Sequence, residues 1–350
     1  MLKRLVNECR FTLTITTKGP FIIREGRLKR PETPEEKEKK VRGDPDSLPI
    51  RQVWHDDRRD FDKSQPYYLP GTSLRGVMRS HLERIVRSAV PDRLLCCDPL
   101  APENALDQGC SSWLDNHKGQ GTGYAYKHSC VVCRLFGSTA QASRIRIADS
   151  PPVEVPDDKM SYRDHIGIDR FTGGVCSGAN FRDLVIEEGV SFKNEIIVRN
   201  FELWQLGLLA YVIRDFYCWE DGLIRLGYGK SKGYGQVQGK VGDIFISYYG
   251  QSASGPSRRL TDLGEALSAE EQTRYDLKPG GSTAVDLLVE PSQELYRTTW
   301  KVRDNEAFWT AAAQAWSNHR NNFKSLEKLR PTKAADAPPK NEQANEEEQS

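Results

Sequence analysis

The run Cys9-Arg10-Phe11-Thr12-Leu13-Thr14-Ile15-Thr16 decides the fold, because Phe11, Leu13 and Ile15 alternate with threonines at the two-residue period of a half-buried strand. It stops at Gly19-Pro20. Downstream, Leu74, Val77, Met78, Leu82, Ile85, Val86 and Ala89 recur at helical spacing behind a Thr72 or Ser73 cap, which predicts a helix after Gly71. Short strands are expected at Arg144 to Ala148 and Ser191 to Arg199. A second helix follows over about Phe201 to Trp219, stopped by Gly222, and then Gln236 to Tyr248 reads as a strand or two interrupted by glycines. Strand, helix, strand, strand, helix, strand is the order of a split βαβ sandwich, so the chain reads as α+β with a ferredoxin-like or RRM-like palm.

The chain has 350 residues, room for one large domain with insertions. Lys plus Arg total 50 and Asp plus Glu 49, a net of +1, so any charge argument rests on local clustering. Residues 331–350 hold two lysines against five acids, a net of −3, and read as a disordered acidic tail. Mean hydropathy is −0.63, no stretch is apolar enough over the roughly 20 residues a spanning helix needs, and Met1 to Arg10 lacks a signal peptide's apolar core. A cytoplasmic protein without membrane contact is expected. The segment 24–66 is charge-dense and aperiodic, which predicts a long exposed loop, and 150–187 is an excursion rich in Pro, Gly and Asp. Residues 250–282 read as linker with a helical piece near Leu263 to Tyr275, and a last helix is expected over Asn305 to Leu329. The organisation is thus a palm over 1–248, carrying the loop 24–66, an insertion at 91–133 and the excursion, then a helical extension over 249–330 and the tail.

The segment Gly227-Tyr228-Gly229-Lys230-Ser231-Lys232-Gly233-Tyr234-Gly235 is the sharpest anion site, since no acid stands between Asp221 and Asp243. Glycines admit phosphate to backbone N–H groups, Lys230 and Lys232 neutralise it, and Tyr228 and Tyr234 offer faces to bases. Gly229-Lys230-Ser231 imitates the end of a Walker A loop, but Ile224 stands where that motif requires its first glycine. A second anion site is the helix start, where Ser73, Arg75 and Arg79 face phosphate together with free N–H groups. Gly76 within that helix costs about 1 kcal/mol against alanine, which suggests that another backbone approaches it closely.

Five of eight cysteines fall between Cys96 and Cys133, and Cys130-Val131-Val132-Cys133 is a zinc-knuckle half-site. Cys110 with Cys97 or Cys96 supplies the other half, with His117 or His128 as a possible replacement ligand. A structural zinc ion on Cys97, Cys110, Cys130 and Cys133 would fold an insertion that lacks an apolar core of its own.

Four ordered motifs then resemble a known family. They are Tyr68-Leu69-Pro70-Gly71-Thr72-Ser73-Leu74-Arg75, Cys133 to Ser138 with Arg144 to Asp149 after it, Ile168-Asp169-Arg170-Phe171-Thr172-Gly173-Gly174, and the glycine-rich loop. Over residues 5–248 the chain resembles RAMP-superfamily CRISPR proteins, in particular the crRNA-binding backbone subunits of type III effector complexes. The resemblance implies a palm that binds guide RNA along its sheet and stacks with other RAMP subunits into a filament. It implies that the excursion at 160–187 is a thumb-like hairpin, with Arg163, His165, Arg170 and Phe171 at a tip that kinks the duplex of crRNA and complementary target RNA. It also implies that Asp46, or Asp44 as second choice, binds a magnesium or manganese ion and assists target-RNA cleavage. Related subunits in fused effectors look zinc-bearing at the cysteine insertion as well. Two rival functions are an RNA-binding scaffold with inert Asp46, and a guide-processing endonuclease using His55 or His165 as general acid or base.

Overall fold

The computed structural model describes residues 4–24, 47–51, 66–154, 159–217, 223–250, 259–277, 283–284 and 291–330. The strands are β1 (Asn7–Thr17), β2 (Ile145–Ile147), β3 (Met160–Ile168), β4 (Val175–Ile186), β5 (Ser191–Arg199), β6 (Val237–Tyr249), β7 (Arg259–Leu260), β8 (Thr283–Ala284), β9 (Ser292–Glu294) and β10 (Arg297–Lys301). The helices are α1 (Gly71–Ala89), α2 (Cys110–Asp115), α3 (Gly121–Lys127), α4 (Val131–Phe136), α5 (Leu203–Tyr217), α6 (Ala269–Tyr275), α7 (Asn305–His319) and α8 (Leu326–Leu329). This is an α+β chain built on one six-stranded antiparallel sheet of order β2-β5-β1-β6-β10-β9.

The alternation in β1 decides which face of the sheet is covered. Cys9, Phe11, Leu13 and Ile15 are buried, whereas Arg10, Thr12, Thr14 and Thr16 are half-buried on the opposite side. Helices α1, α5 and α7 pack over the apolar side, where Trp309 of α7 meets Phe11 edge-on at 5.2 Å. His81 of α1 and Asp215 of α5 pair at 2.7 Å, closing the two helices over the strands. Gly207 sets the approach of α5 to α7, because a Cβ there would stand 2.3 Å from the carbonyl oxygen of Ala312. The other side of the sheet is polar, with Lys193 and Glu195 of β5 and Gln238 and Lys240 of β6 exposed beside the threonines.

Several local expectations need correction. The helix after Pro70 starts at Gly71 without a Thr72 or Ser73 cap; Asp149 Oδ1 accepts the Gly71 N–H at 2.8 Å instead. Its glycine of close approach is Gly71, whose Cβ would lie 2.4 Å from the Ile147 carbonyl oxygen, whereas Gly76 faces open space. The cysteine insertion contains three short helices, α2 to α4. Gln236 to Tyr248 forms one strand, with a bulge opposite Thr12 where Gly242 leaves room for the threonine side chain. Residues 292–301 form a hairpin that adds β10 and β9 to the sheet edge. The last helix is interrupted at Arg320–Asn322, where Phe323 turns in against Trp204 and Trp316.

The segment after β7 is held by a buried carboxylate. Asp262 accepts the Leu203 N–H at the start of α5 (2.9 Å) and the Gly264 N–H (2.8 Å). Burial, then the nearby Glu202 carboxylate, push Asp262 up to about 7. A carboxyl whose folded pKa is raised binds more protons folded than unfolded between about pH 4 and 7, so its contribution falls as pH rises through that window. The urea midpoint is therefore expected to drop from pH 5 to pH 8, and Asp262→Asn should flatten that drop; an unchanged pH slope in the variant would contradict the assignment.

Candidate metal centre and nucleic-acid interface

Cys97 lies in the loop before α2, Cys110 opens α2, Cys130 caps α4 and Cys133 lies within α4. Their sulfurs are buried and all lie within 4.8 Å of one another. The Cys97–Cys133 and Cys97–Cys130 separations are 3.8 and 3.7 Å. A tetrahedron with metal–sulfur bonds of about 2.3 Å has edges of about 3.8 Å, so the four side chains can hold a metal ion such as zinc. Cys96, whose Sγ lies 3.5 Å from the Cys97 carbonyl, is outside the set of four sulfurs that lie within 4.8 Å of one another, so Cys97 is the candidate ligand. His117 and His128 each direct Nδ1 at a carbonyl of their own helical turn and stand outside the cluster.

Donors converge on these sulfurs. The Cys130 N–H points at Cys110 Sγ (3.2 Å) and the Cys133 N–H at Cys130 Sγ (3.3 Å). Arg79 Nη2 lies 3.1 Å from Cys133 Sγ, and Arg330 Nη2 lies 2.8 Å from Cys110 Sγ. Burial alone would raise the Cys130 thiol, but hydrogen bonds from Cys110, Cys133, Cys96 and Cys97 outweigh it and hold Cys130 well below the ordinary thiol range. Cys110 is pushed well above that range chiefly by its hydrogen bond with Cys130, and Cys133 chiefly by its hydrogen bonds with Cys110 and Cys130. A metal ion removes the conflict by stabilising all four thiolates together. Arg330 was invisible as a partner because it stands 220 residues from Cys110 in sequence.

The arginines at the start of α1 also serve this centre. Arg75 donates to the Phe136 carbonyl and Arg79 to that of Gly137 (3.3 Å), with Glu83 pairing Arg79 at 3.0 Å. Burial opposes charge on Arg79, yet the Cys133 sulfur and Glu83 raise its pKa above the usual guanidinium value. Ser73 is half-buried beside them, and the helix start already receives the Asp149 carboxylate.

The glycine-rich loop makes a short 3-10 turn over Lys230–Lys232 between Gly229 and Gly233, both left-handed. Gly227, Gly229 and Gly235 are dictated by packing, since a Cβ would meet Ile22, the Tyr234 ring and Leu226 at 2.2, 2.6 and 2.0 Å respectively. The N–H groups of Tyr228, Lys232, Gly233, Tyr234 and Gly235 all donate within the fold, so the loop's anion-binding capacity lies chiefly in exposed Lys230, Ser231 and Lys232. Burial, then the charge of Arg84, lower the Lys230 pKa. Tyr228 is half-buried under the Arg24 guanidinium (5.4 Å), while Tyr234 is 5% exposed and presents no open face.

The excursion is an antiparallel hairpin, β3 against β4, joined to that loop. Lys232 Nζ sits 4.0 Å from the Phe181 ring centroid, and His165 Nε2 lies 2.8 Å from the Tyr234 hydroxyl and 3.0 Å from Oδ2 of the buried Asp183. At its far end Phe171 is fully exposed beside exposed Arg170, with Ile166 and Ile168 also open to solvent. Asp169 accepts the Phe171 and Thr172 N–H groups (2.8 and 2.9 Å) and so fixes the tip turn. Arg163 pairs with Glu187 at 2.7 Å. Asp44 and Asp46 lie outside the described residues. Their neighbour Ser47 crosses β4, where its carbonyl accepts the Leu184 N–H at 3.0 Å.

A family model described as the RAMP superfamily matches residues 14–238, well over half of the chain. No curated protein matches it. The purified protein is expected to carry about one sulfur-ligated ion per chain, kept in Cys96→Ser and lost in Cys97→Ser. Elemental analysis with X-ray absorption checks this, and equal metal content in the two variants would reassign the ligand.

Proposed function

The chain belongs to the RAMP superfamily, and we propose that it is a crRNA-binding backbone subunit of a type III CRISPR effector complex that cleaves complementary target RNA. The observation that carries this reading is the union of a cationic loop with an apolar-tipped hairpin. Lys232 packs on Phe181 and Tyr234 reaches His165, so Lys230 and Lys232 lie against the hairpin whose tip exposes Arg170 and Phe171. Lysines hold phosphates there while Phe171 wedges between bases, a division of labour suited to a backbone-held, kinked duplex.

In this reading β2-β5-β1-β6 with α1 and α5 on one face is a ferredoxin-like palm, and its open polar face lines the guide path. The hairpin is the thumb. Residues 249–330 form an extension that lends β10 and β9 to the palm, and the cysteine cluster holds structural zinc. Other RAMP subunits stack on either side. Asp46 stands next to Ser47, which pairs with the thumb strand, and would hold a magnesium or manganese ion that supplies positive charge at the scissile phosphate. The surface's contribution is alignment, setting the RNA's 2′-hydroxyl in line with its own adjacent phosphate. The bond from phosphorus to the 5′ oxygen breaks as the 2′ oxygen bonds to phosphorus, giving a 2′,3′-cyclic phosphate and a 5′-hydroxyl.

Asp46→Ala in the assembled complex is expected to abolish target cleavage with guide binding intact; retained cleavage at the same position would leave the scaffold reading standing. Replacing Lys230 and Lys232 by alanine should weaken guide binding and flatten the slope of log K against log salt by about 1.4, at roughly 0.7 per phosphate contact on a single strand. An unchanged slope would remove the loop from the phosphate path.

A further inference from the structure

The cysteine insertion carries a second feature that neither the metal nor the loop surface uses. Trp113 and His117 stack at 4.0 Å between ring centroids, and Tyr124 and His128 stack at 3.9 Å. The two pairs lie side by side, with Trp113 5.7 Å from His128 and His117 6.2 Å from Tyr124, and the interplanar angles lie between 11° and 30°. Arg330 sits over Trp113 at 5.2 Å and ties it to the metal ligand Cys110. Beside the rings is a cavity of about 430 Å³, lined by His117 and Tyr124 but by neither Trp113 nor His128. His117 and Tyr124, one ring of each stacked pair, thus border it. Gln120, Thr122 and Thr139 supply an amide and two hydroxyls around it, and Lys118 and Asp115 a cation and a carboxylate paired with each other at 2.9 Å.

We propose that this cavity binds an unpaired nucleobase, stacked on His117 and Tyr124 with its edge against Gln120, Thr122 and Thr139. The volume falls in the range of small-molecule sites, and flat π surfaces edged by amide and hydroxyl groups are what a base requires. The base comes from an RNA strand or a free nucleotide; only the first source rests on the RNA-binding reading above.

The test titrates full-length, metal-loaded protein with adenosine monophosphate, base-free ribose 5-phosphate and single-stranded hexa-adenylate, following heat and the ¹³C-labelled histidine ring signals. Adenosine monophosphate is expected to shift the His117 signal and to bind at least tenfold tighter than ribose 5-phosphate. Tyr124→Leu should weaken it about tenfold and Tyr124→Phe should leave it bound, both variants retaining their metal. Tighter binding of hexa-adenylate, lost when Lys230 and Lys232 become alanine while adenosine monophosphate still binds, makes the base part of a strand. Equal binding of the two ligands makes it a free nucleotide. RNA affinity unchanged when Lys230 and Lys232 become alanine, with adenosine monophosphate still bound, sinks the guide-binding reading alone. Equal affinity for adenosine monophosphate and ribose 5-phosphate, or indifference to Tyr124→Leu, overturns the base site.

Discussion

Four sulfurs held within 4.8 Å of one another impose the constraint on which the rest of this molecule hangs. Protonated, they would be a cluster of weak donors with little to hold them; deprotonated without compensation, they would place several negative charges in a buried space. The chain answers with cations far apart in sequence, Arg79 from α1 and Arg330 just after α8, each aimed at a sulfur. Arg87 adds a hydrogen bond to the Cys97 carbonyl at 2.7 Å. The cysteine cluster is thereby a junction where the insertion, the first helix and the C-terminal segment meet, and the surrounding donors orient the sulfurs.

A second junction sits a short way off, and it too is polar and buried. Arg144 stacks over the Tyr126 ring at 4.2 Å, lies 3.9 Å from Glu202 and donates to Gln205 at 3.1 Å. Tyr126 hydrogen-bonds Glu202 in turn, and Asp262 closes the group by capping α5. Such a network is stabilising only when its members are satisfied together, so it specifies one docking of the insertion and of residues 259–277 against the sheet. Val6, Leu263, Leu267, Tyr275 and Leu277 add a small apolar cluster around Tyr126.

The glycine-rich loop shows how a feature can be legible for the wrong cause. Four of its glycines adopt left-handed angles, yet three of them are required because main chain or the Tyr234 ring occupies the space a side chain would need. The loop is a tightly packed turn that raises two lysines, and its N–H groups are largely spent within the fold. Packing of Lys232 against Phe181 then couples it to the hairpin, so the spacing between cation and apolar tip is set by rigid elements. Tyr234 serves this coupling through His165 and offers no face to a base.

Periodicity and punctuation alone determined the strand at Asn7–Thr17, the helix at Gly71–Ala89, the order of the later strands and the Cys130–Cys133 half-site, because each is encoded within a dozen neighbouring residues. The four-residue spacing of Arg75 and Arg79 was equally plain, but not its purpose, since free phosphate and the cluster's own sulfurs and carbonyls attract a guanidinium alike. Choosing Cys97 over Cys96, bringing Arg330 to Cys110, adding β10 to the sheet edge and setting His117 level with Tyr124 were decisions of the tertiary structure. Each depends on groups brought together across long stretches of chain or on the direction a side chain takes once the backbone has turned, and local sequence holds no record of either.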